Sequence, residues 1–232
     1  MKIIQQYSNK IYFLITKFFK VIFHYMRYYG LYYYIFKIDK RLNFTNFFTK
    51  ENFFFDKEIK NSKFYLEFGS GASTFHAKRL KKKFFSIESD KAFFSQISKE
   101  IGKNLILKEL GVVGFYSTPL NFKKNKYKLV PKAIKYINDV LRFLIKKGRM
   151  PDLVLIDGRY RVSTGFALHK FYSKKNKKFC IIFDDYKERR HYHILGRFFK
   201  IEIVGRFGIA RNLIQNITIP DSLLRKYLLD YR

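Results

Sequence analysis

Residues 63–90 read KFYLEFGSGASTFHAKRLKKKFFSIESD, and the fold turns on this stretch. KFYLEF (63–68) is short, apolar and aromatic, as a buried strand requires. The smallest side chains follow, from Gly69 through Thr74, and STFHAKRLKK (73–82) then takes on helical character. KFFSIE (83–88) is a second strand. A strand, a glycine turn, a helix and another strand make one unit of a parallel sheet. Glu67 stands just before the turn, and Glu88 closes the second strand.

The same alternation continues outward. DKAFFSQISKEI (90–101) reads as a helix and NLILKEL (104–110) contains a strand. Residues 111–131, with Gly111, Gly114 and Pro119, read as an irregular excursion over the cleft. A helix near 132–147, the strand DLVLID (152–157), a helix near 162–173 and the strand KFCIIFDD (178–185) come next. KIEIVGRF (200–207) and NLIQNITI (212–219) flank Gly208, which suggests an antiparallel pair closing the sheet. The expected class is therefore α/β, a doubly wound and mostly parallel sheet with an antiparallel strand at its C-terminal edge. The expected division is a helical extension over 1–52 and the sheet domain over 53–232.

Ligands of such sheets bind beyond the carboxyl ends of the strands, at the switch in strand order. Gly69 and Gly71 permit close backbone approach there. A P-loop needs Gly-Lys-Ser/Thr, and this turn has no lysine. A dinucleotide site places a doubly anionic pyrophosphate on the turn, which Glu67 would repel. A cationic, phosphate-free cofactor reverses that sign, and S-adenosylmethionine, with a sulfonium and an α-ammonium group, has the required charge. Glu88 lies about 20 residues beyond the glycines, the spacing of a carboxylate that accepts ribose hydroxyls.

With E-F-G-S-G (67–71) followed by S-I-E-S-D (86–90), the chain resembles class I S-adenosylmethionine-dependent methyltransferases over roughly residues 60–219. The resemblance implies a Rossmann-like methyltransferase sheet of seven strands with the last reversed. It implies that Glu67, Gly69 and Gly71 face the methionine part and Glu88 the ribose, with Ser70, Ser73, Thr74 and Ser89 completing the cofactor set. Ala72 and Ser73 depart from the family, where many members carry a further glycine. IDGRYR (156–161) and FDDYKERRHY (183–192) look like a bacterial branch often met near surface-glycan genes, which implies a glycan-precursor methyl acceptor.

Asp157, Asp184 and Asp185 end two strands and should meet above the sheet as the catalytic carboxylates. Two readings compete for them. They could hold a divalent cation that lowers the pKa of a substrate hydroxyl. Alternatively, Arg159, Arg161 and Arg189, with Tyr186, bind an acidic substrate while an Asp serves as base. Arginines crowding the rim favour the second, metal-free reading. His191 and His193, two apart on an expected helix, do not share a face and read as solvent-facing. The alternative from another class is a non-catalytic Rossmann-like scaffold recruited to a membrane or complex. The glutamate pair argues against it, since a scaffold has no use for either carboxylate.

The formal net charge is +30, spread over separate runs such as Lys81-Lys82-Lys83, Lys123-Lys124 and Lys174-Lys175. No nucleic-acid motif accompanies it, and the abundance of Lys, Phe, Ile, Tyr and Asn fits a biased genome. These features argue against nucleic acid as partner. The single cysteine, Cys180, sits in the apolar run FCIIF and reads as a core residue; nothing calls for an oxidising compartment. The expected location is the cytoplasm. Residues 3–36 are aromatic-rich but broken by Lys17, Lys20 and Arg27, too polar to span a bilayer. Lys10, Lys17, Lys20, His24 and Arg27 form a polar stripe at helical spacing. Two readings stand for residues 1–36: a helix lying on the inner membrane face with this stripe toward anionic headgroups, or a helix docked on the domain or a second subunit. The oligomeric state cannot be read from these residues.

Overall fold

The computed structural model describes residues 2–29, 53–114, 118–120, 122–173 and 177–232. Residues 30–36 of the expected helical extension, its limit at residue 52, part of the 111–131 excursion and the Lys174-Lys175 run lie outside them.

Helix α1 (Lys2–Tyr28) precedes the sheet domain. In chain order the domain then runs α2 (Phe53–Asn61), β1 (Tyr65–Phe68), α3 (Ala72–Arg79), β2 (Phe84–Glu88), α4 (Lys91–Ile101) and β3 (Leu105–Leu107). It continues with α5 (Phe122–Lys146), β4 (Leu153–Ile156), α6 (Arg161–Ser173) and β5 (Cys180–Phe183). A 3-10 segment (Arg190–Arg197), β6 (Phe199–Val204), β7 (Phe207–Leu213) and α7 (Asp221–Leu228) complete it.

The strands form one sheet in the order β3-β2-β1-β4-β5-β7-β6. Strands β1 to β5 are parallel, and β7 enters antiparallel beside β5 and β6. Every residue of β1, β4 and β5 is buried, because helices cover both faces. The two-residue period divides their side chains. Leu66, Phe68, Val154, Ile156, Ile181 and Phe183 face one apolar layer, which α5, α6 and α7 supply through residues such as Tyr136, Val140, Phe166 and Leu228. Tyr65, Leu153, Leu155, Cys180 and Ile182 face the other, with Phe55, Phe75 and Ile97 from α2, α3 and α4. Strand order reverses between β1 and β4, so the cleft lies over their carboxyl ends.

Two boundaries differ from the sequence reading. Helix α5 starts at Phe122, ten residues earlier than expected, after a short antiparallel bridge between Val113 and Pro119. The dense lysines of 122–132 form helix readily, and Pro131 inside it costs one backbone bond. The C-terminal hairpin turns at Gly205-Arg206, since Val204 pairs with Phe207 and Gly205 has a φ of +59°, so only Asn212 and Leu213 of the expected 212–219 strand belong to β7. Gly208 lies within β7 instead. A Cβ there would stand 2.8 Å from Tyr186 Cδ1, so its role is to admit that ring.

The last turn of α1 docks beside α4. Arg27 pairs with Asp90, the N-cap of α4. The Tyr28 hydroxyl donates to Glu109 at 2.5 Å, and Lys91 lies 5.2 Å from the Tyr28 ring centroid. His24 is buried, and its ring reaches Gly114.

Candidate active site

The turn between β1 and α3 is held by carboxylates. Glu67 is fully buried and accepts from the hydroxyls of Ser73, Thr74 and Ser86, the Ser86 bond being 2.8 Å. Ser86 is its register partner on β2, so both side chains leave the sheet on the same face. Burial raises the Glu67 carboxyl above the usual range, and the three hydroxyls oppose that rise. Glu67 therefore clamps the turn to β2 from beneath it, whereas sequence alone placed it against the cofactor.

Glu88 ties the other side. Its Oε1 accepts from the backbone N–H of Ser89 (2.6 Å) and Asp90 (2.7 Å), and its Oε2 from that of Ser70 (3.2 Å). Burial pushes its pKa up to about 7 against these donors. The Ser70 hydroxyl meets that of Ser86 at 2.7 Å. Every residue of the expected cofactor set is thus in or beside one connected web. Ser86 was not singled out from sequence, although it lies within SIESD.

The two glycines of the turn serve different ends. Gly69 has a φ of +97°, and a Cβ on it would come within 2.6 Å of Gly158 Cα at the end of β4. Gly71 is extended, with φ −179°, and a Cβ there would meet nothing within 4 Å. Only Gly69 is demanded by the fold; Gly71 borders open space. Gly158 in turn admits the Tyr136 hydroxyl, which is buried with no hydrogen-bond partner among the described residues. Tyr136 comes from α5, and no motif in the sequence marks it.

Across the cleft, Asp157 follows β4 while Asp184 and Asp185 follow β5. Their carboxylate oxygens lie within 4.8 Å of one another. Guanidiniums compensate all three. Arg161 Nη2 reaches Asp157 at 2.8 Å and its Nη1 reaches Asp185 at 3.2 Å. Arg189 adds a second contact to Asp185 at 2.9 Å. Arg206, at the tip of the β6–β7 hairpin, holds Asp184 with bonds of 2.5 and 3.3 Å. Three carboxylates against three guanidiniums leave no net charge to draw a dication, and a metal would have to displace these pairs.

Arg161 is buried and also donates to the carbonyls of Gly158 (2.9 Å) and Asp184 (2.8 Å). It is a tie between the β4 and β5 turns, which corrects its expected substrate-binding role. Tyr186 is likewise buried, its ring against Gly208, and serves as a packing residue. Arg159 and Arg189 hold the rim positions. The Arg159 guanidinium stands 5.9 Å from the Tyr231 ring centroid, and Arg161 and Arg189 flank the buried Tyr192 ring at 5.8 and 5.7 Å. His191 is half-buried with its ring on the edge of Tyr192, and His193 bonds the Tyr186 carbonyl at 3.0 Å. Neither joins the carboxylates, and their segment is a 3-10 turn.

Asp157 is the open member of the acidic group, its side chain 41% exposed. Desolvation within the cleft, then the neighbouring Asp184 and Asp185, raise its pKa well above the usual carboxyl range, while Arg161 opposes them. Two residues in these turns, Tyr160 and Asp185, have positive φ angles of 57° and 55°. Such conformations gather where side-chain placement is over-determined by the surroundings.

No protein-family model matches the sequence, and no curated protein matches it. A crystal structure is similar: a methyltransferase-like protein from Silicibacter pomeroyi DSS-3, with a TM-score of 0.64 and 24% identity over 83% of this chain and the whole of that one. The order of its strands, the reversed β7 and this likeness together give the chain a methyltransferase fold.

Proposed function

We propose that this chain is an S-adenosylmethionine-dependent methyltransferase acting on an oxygen or nitrogen atom of an anionic small molecule or surface-glycan precursor. The observation that carries the proposal is the state of the glycine turn. The N–H groups of Gly69, Ser70, Gly71 and Thr74 are already bonded, to Ile87 O, Glu88, Thr74 Oγ1 and Gly71 O respectively. A pyrophosphate would need such donors free. Two buried carboxylates at the same turn would repel it as well. A cationic ligand without phosphate suits both features. The open space beside Gly71, the Tyr136 hydroxyl without a hydrogen-bond partner among the described residues, and the remaining acceptor capacity of Glu88 Oε2 fit a ligand with polar groups at this turn.

When bound, the cofactor supplies a methyl group already activated by positive sulfur. The chain's own task is then alignment and proton removal. Arg159 and Arg189 at the rim suit an acidic group on the acceptor through bidentate contacts. Asp157, exposed to the cleft and paired with Arg161, is placed to take the proton that the acceptor atom loses. Asp184 and Asp185 hold the arginines that fix the turns around it.

Isothermal titration with S-adenosylmethionine and, separately, NAD tests the cofactor assignment. Binding of the first alone is expected; no detectable binding of it at millimolar concentration would end the proposal. Activity lost in EDTA and restored by magnesium would reassign the three aspartates to a metal.

A further inference from the structure

Helix α1 presents its faces the wrong way round for a helix that belongs only to its own domain. A surface helix buries its apolar face against the core. Here the polar stripe supplies the docking contacts, through His24 and Arg27, with Tyr28 beside them. The opposite face carries Leu14, Phe18, Ile22, Tyr25 and Tyr29, spaced by three or four residues, with Ile15 beside them, all exposed, Phe18 by 64% and Leu14 by 56%. The expectation that the whole stripe meets headgroups is thereby corrected: its C-terminal members meet the protein.

We infer that α1 is an arm that lays this apolar face into the interface of an anionic lipid surface, with the domain held on the water side. Charge selects that occupant. Residues 1–38 contain no Asp or Glu, Lys17 and Lys20 are exposed, and the chain carries +30 overall. A second copy packed on the same face would bring two bodies of charge +30 together, whereas an anionic leaflet attracts each one. Aromatic side chains suit the headgroup boundary, and no helix among the described residues is long and apolar enough to cross a membrane. The root of the arm is tied to the cofactor turn. Arg27 pairs with Asp90, whose N–H donates to Glu88.

Sedimentation of the full-length protein with phosphatidylglycerol vesicles tests this inference, with phosphatidylcholine vesicles as control. Binding to the anionic vesicles, weakened by high salt, is expected. The double variant Phe18→Ser/Ile22→Ser should bind them about tenfold less or weaker still. Because both side chains are exposed, its melting temperature and cofactor affinity should not change. Absence of vesicle binding at low salt overturns the inference, and so does equal binding by the double variant. A dimer in solution that the same variant splits would assign the face to a second copy instead.

Discussion

On the β1–β2 side of the cleft, hydroxyls and backbone N–H groups surround the carboxylates of Glu67 and Glu88. At the ends of β4 and β5, guanidiniums surround those of Asp157, Asp184 and Asp185. Dipoles stabilise a carboxylate without supplying a counter-charge, so the first half becomes negative as Glu88 ionises near pH 7 and then suits a cation. Guanidiniums cancel the charge outright, and Arg159, a fourth guanidinium at the rim, tips the second half toward anions. The two halves of one cleft thus differ in how their carboxylates are compensated, and under the proposed function the first would face the cationic cofactor and the second the acidic acceptor.

Removing a tie from the arginine half should have the largest effect. Arg161→Met leaves Asp157 and Asp185 facing each other with less compensation and frees two carbonyls. A loss of about 3–5 kcal/mol in stability is expected, read by urea unfolding. A loss below about 1 kcal/mol would mean that Arg161 is dispensable and that the halves do not differ as described.

Within the glutamate half, the two glycines should separate. Gly69→Ala forces a side chain onto Gly158 at a positive φ and should cost several kcal/mol in stability. Gly71→Ala should leave the melting temperature within the range of a surface substitution and lower cofactor affinity instead. If both variants melt early, Gly71 is structural and borders no ligand.

Glu88→Ala should weaken cofactor binding by about 1–3 kcal/mol in calorimetry, since charge-assisted bonds are lost. The pKa of about 7 gives a further check with two signs. Because the folded pKa is raised, stability from this group is fully present below the ordinary carboxyl range and is lost as pH rises through about 7. A ligand that needs the carboxylate as acceptor behaves oppositely. Its affinity should rise several-fold between about pH 6 and about pH 8, and Glu88→Gln should flatten both trends. Affinity that falls over that interval would remove Glu88 from the ribose.

The smallest effect is expected at the rim. Arg159→Lys keeps the charge but loses the fork, so the KM for the acceptor should rise a few-fold with stability unchanged. An unchanged KM in both Arg159→Lys and Arg159→Ala would leave Arg189 as the rim's anion contact.

The glutamate half was largely legible because its parts are local. Glu67, the glycines, Ser73, Thr74 and Glu88 lie within one strand-turn-helix-strand unit, and sequence spacing places such a unit directly. What spacing could not give was direction, so Glu67 read as cofactor-facing when Ser73, Thr74 and Ser86 enclose it. In the arginine half, IDGRYR and FDDYKERRHY marked the right turns but not the division of labour among their arginines. Arg161 begins α6 with its side chain inward, and Arg159, two residues earlier, sits at the rim. Arg206 carried no signal at all, because only the β6–β7 hairpin brings it to Asp184.

By itself, the sequence determined the alternation of strands and helices, the parallel sheet with its reversed strand, and the acidic glycine turn. Each of these follows from periodicity and spacing within about 30 residues, where the chain's own geometry links neighbours. The tertiary structure alone decided which carboxylates are enclosed, which arginines are ties, and that Tyr186 and Gly208 pack together. It also turned the polar stripe of α1 inward at its C-terminal end. Those outcomes depend on pairing between distant segments, where burial and compensation of charge act on positions and not on residue types.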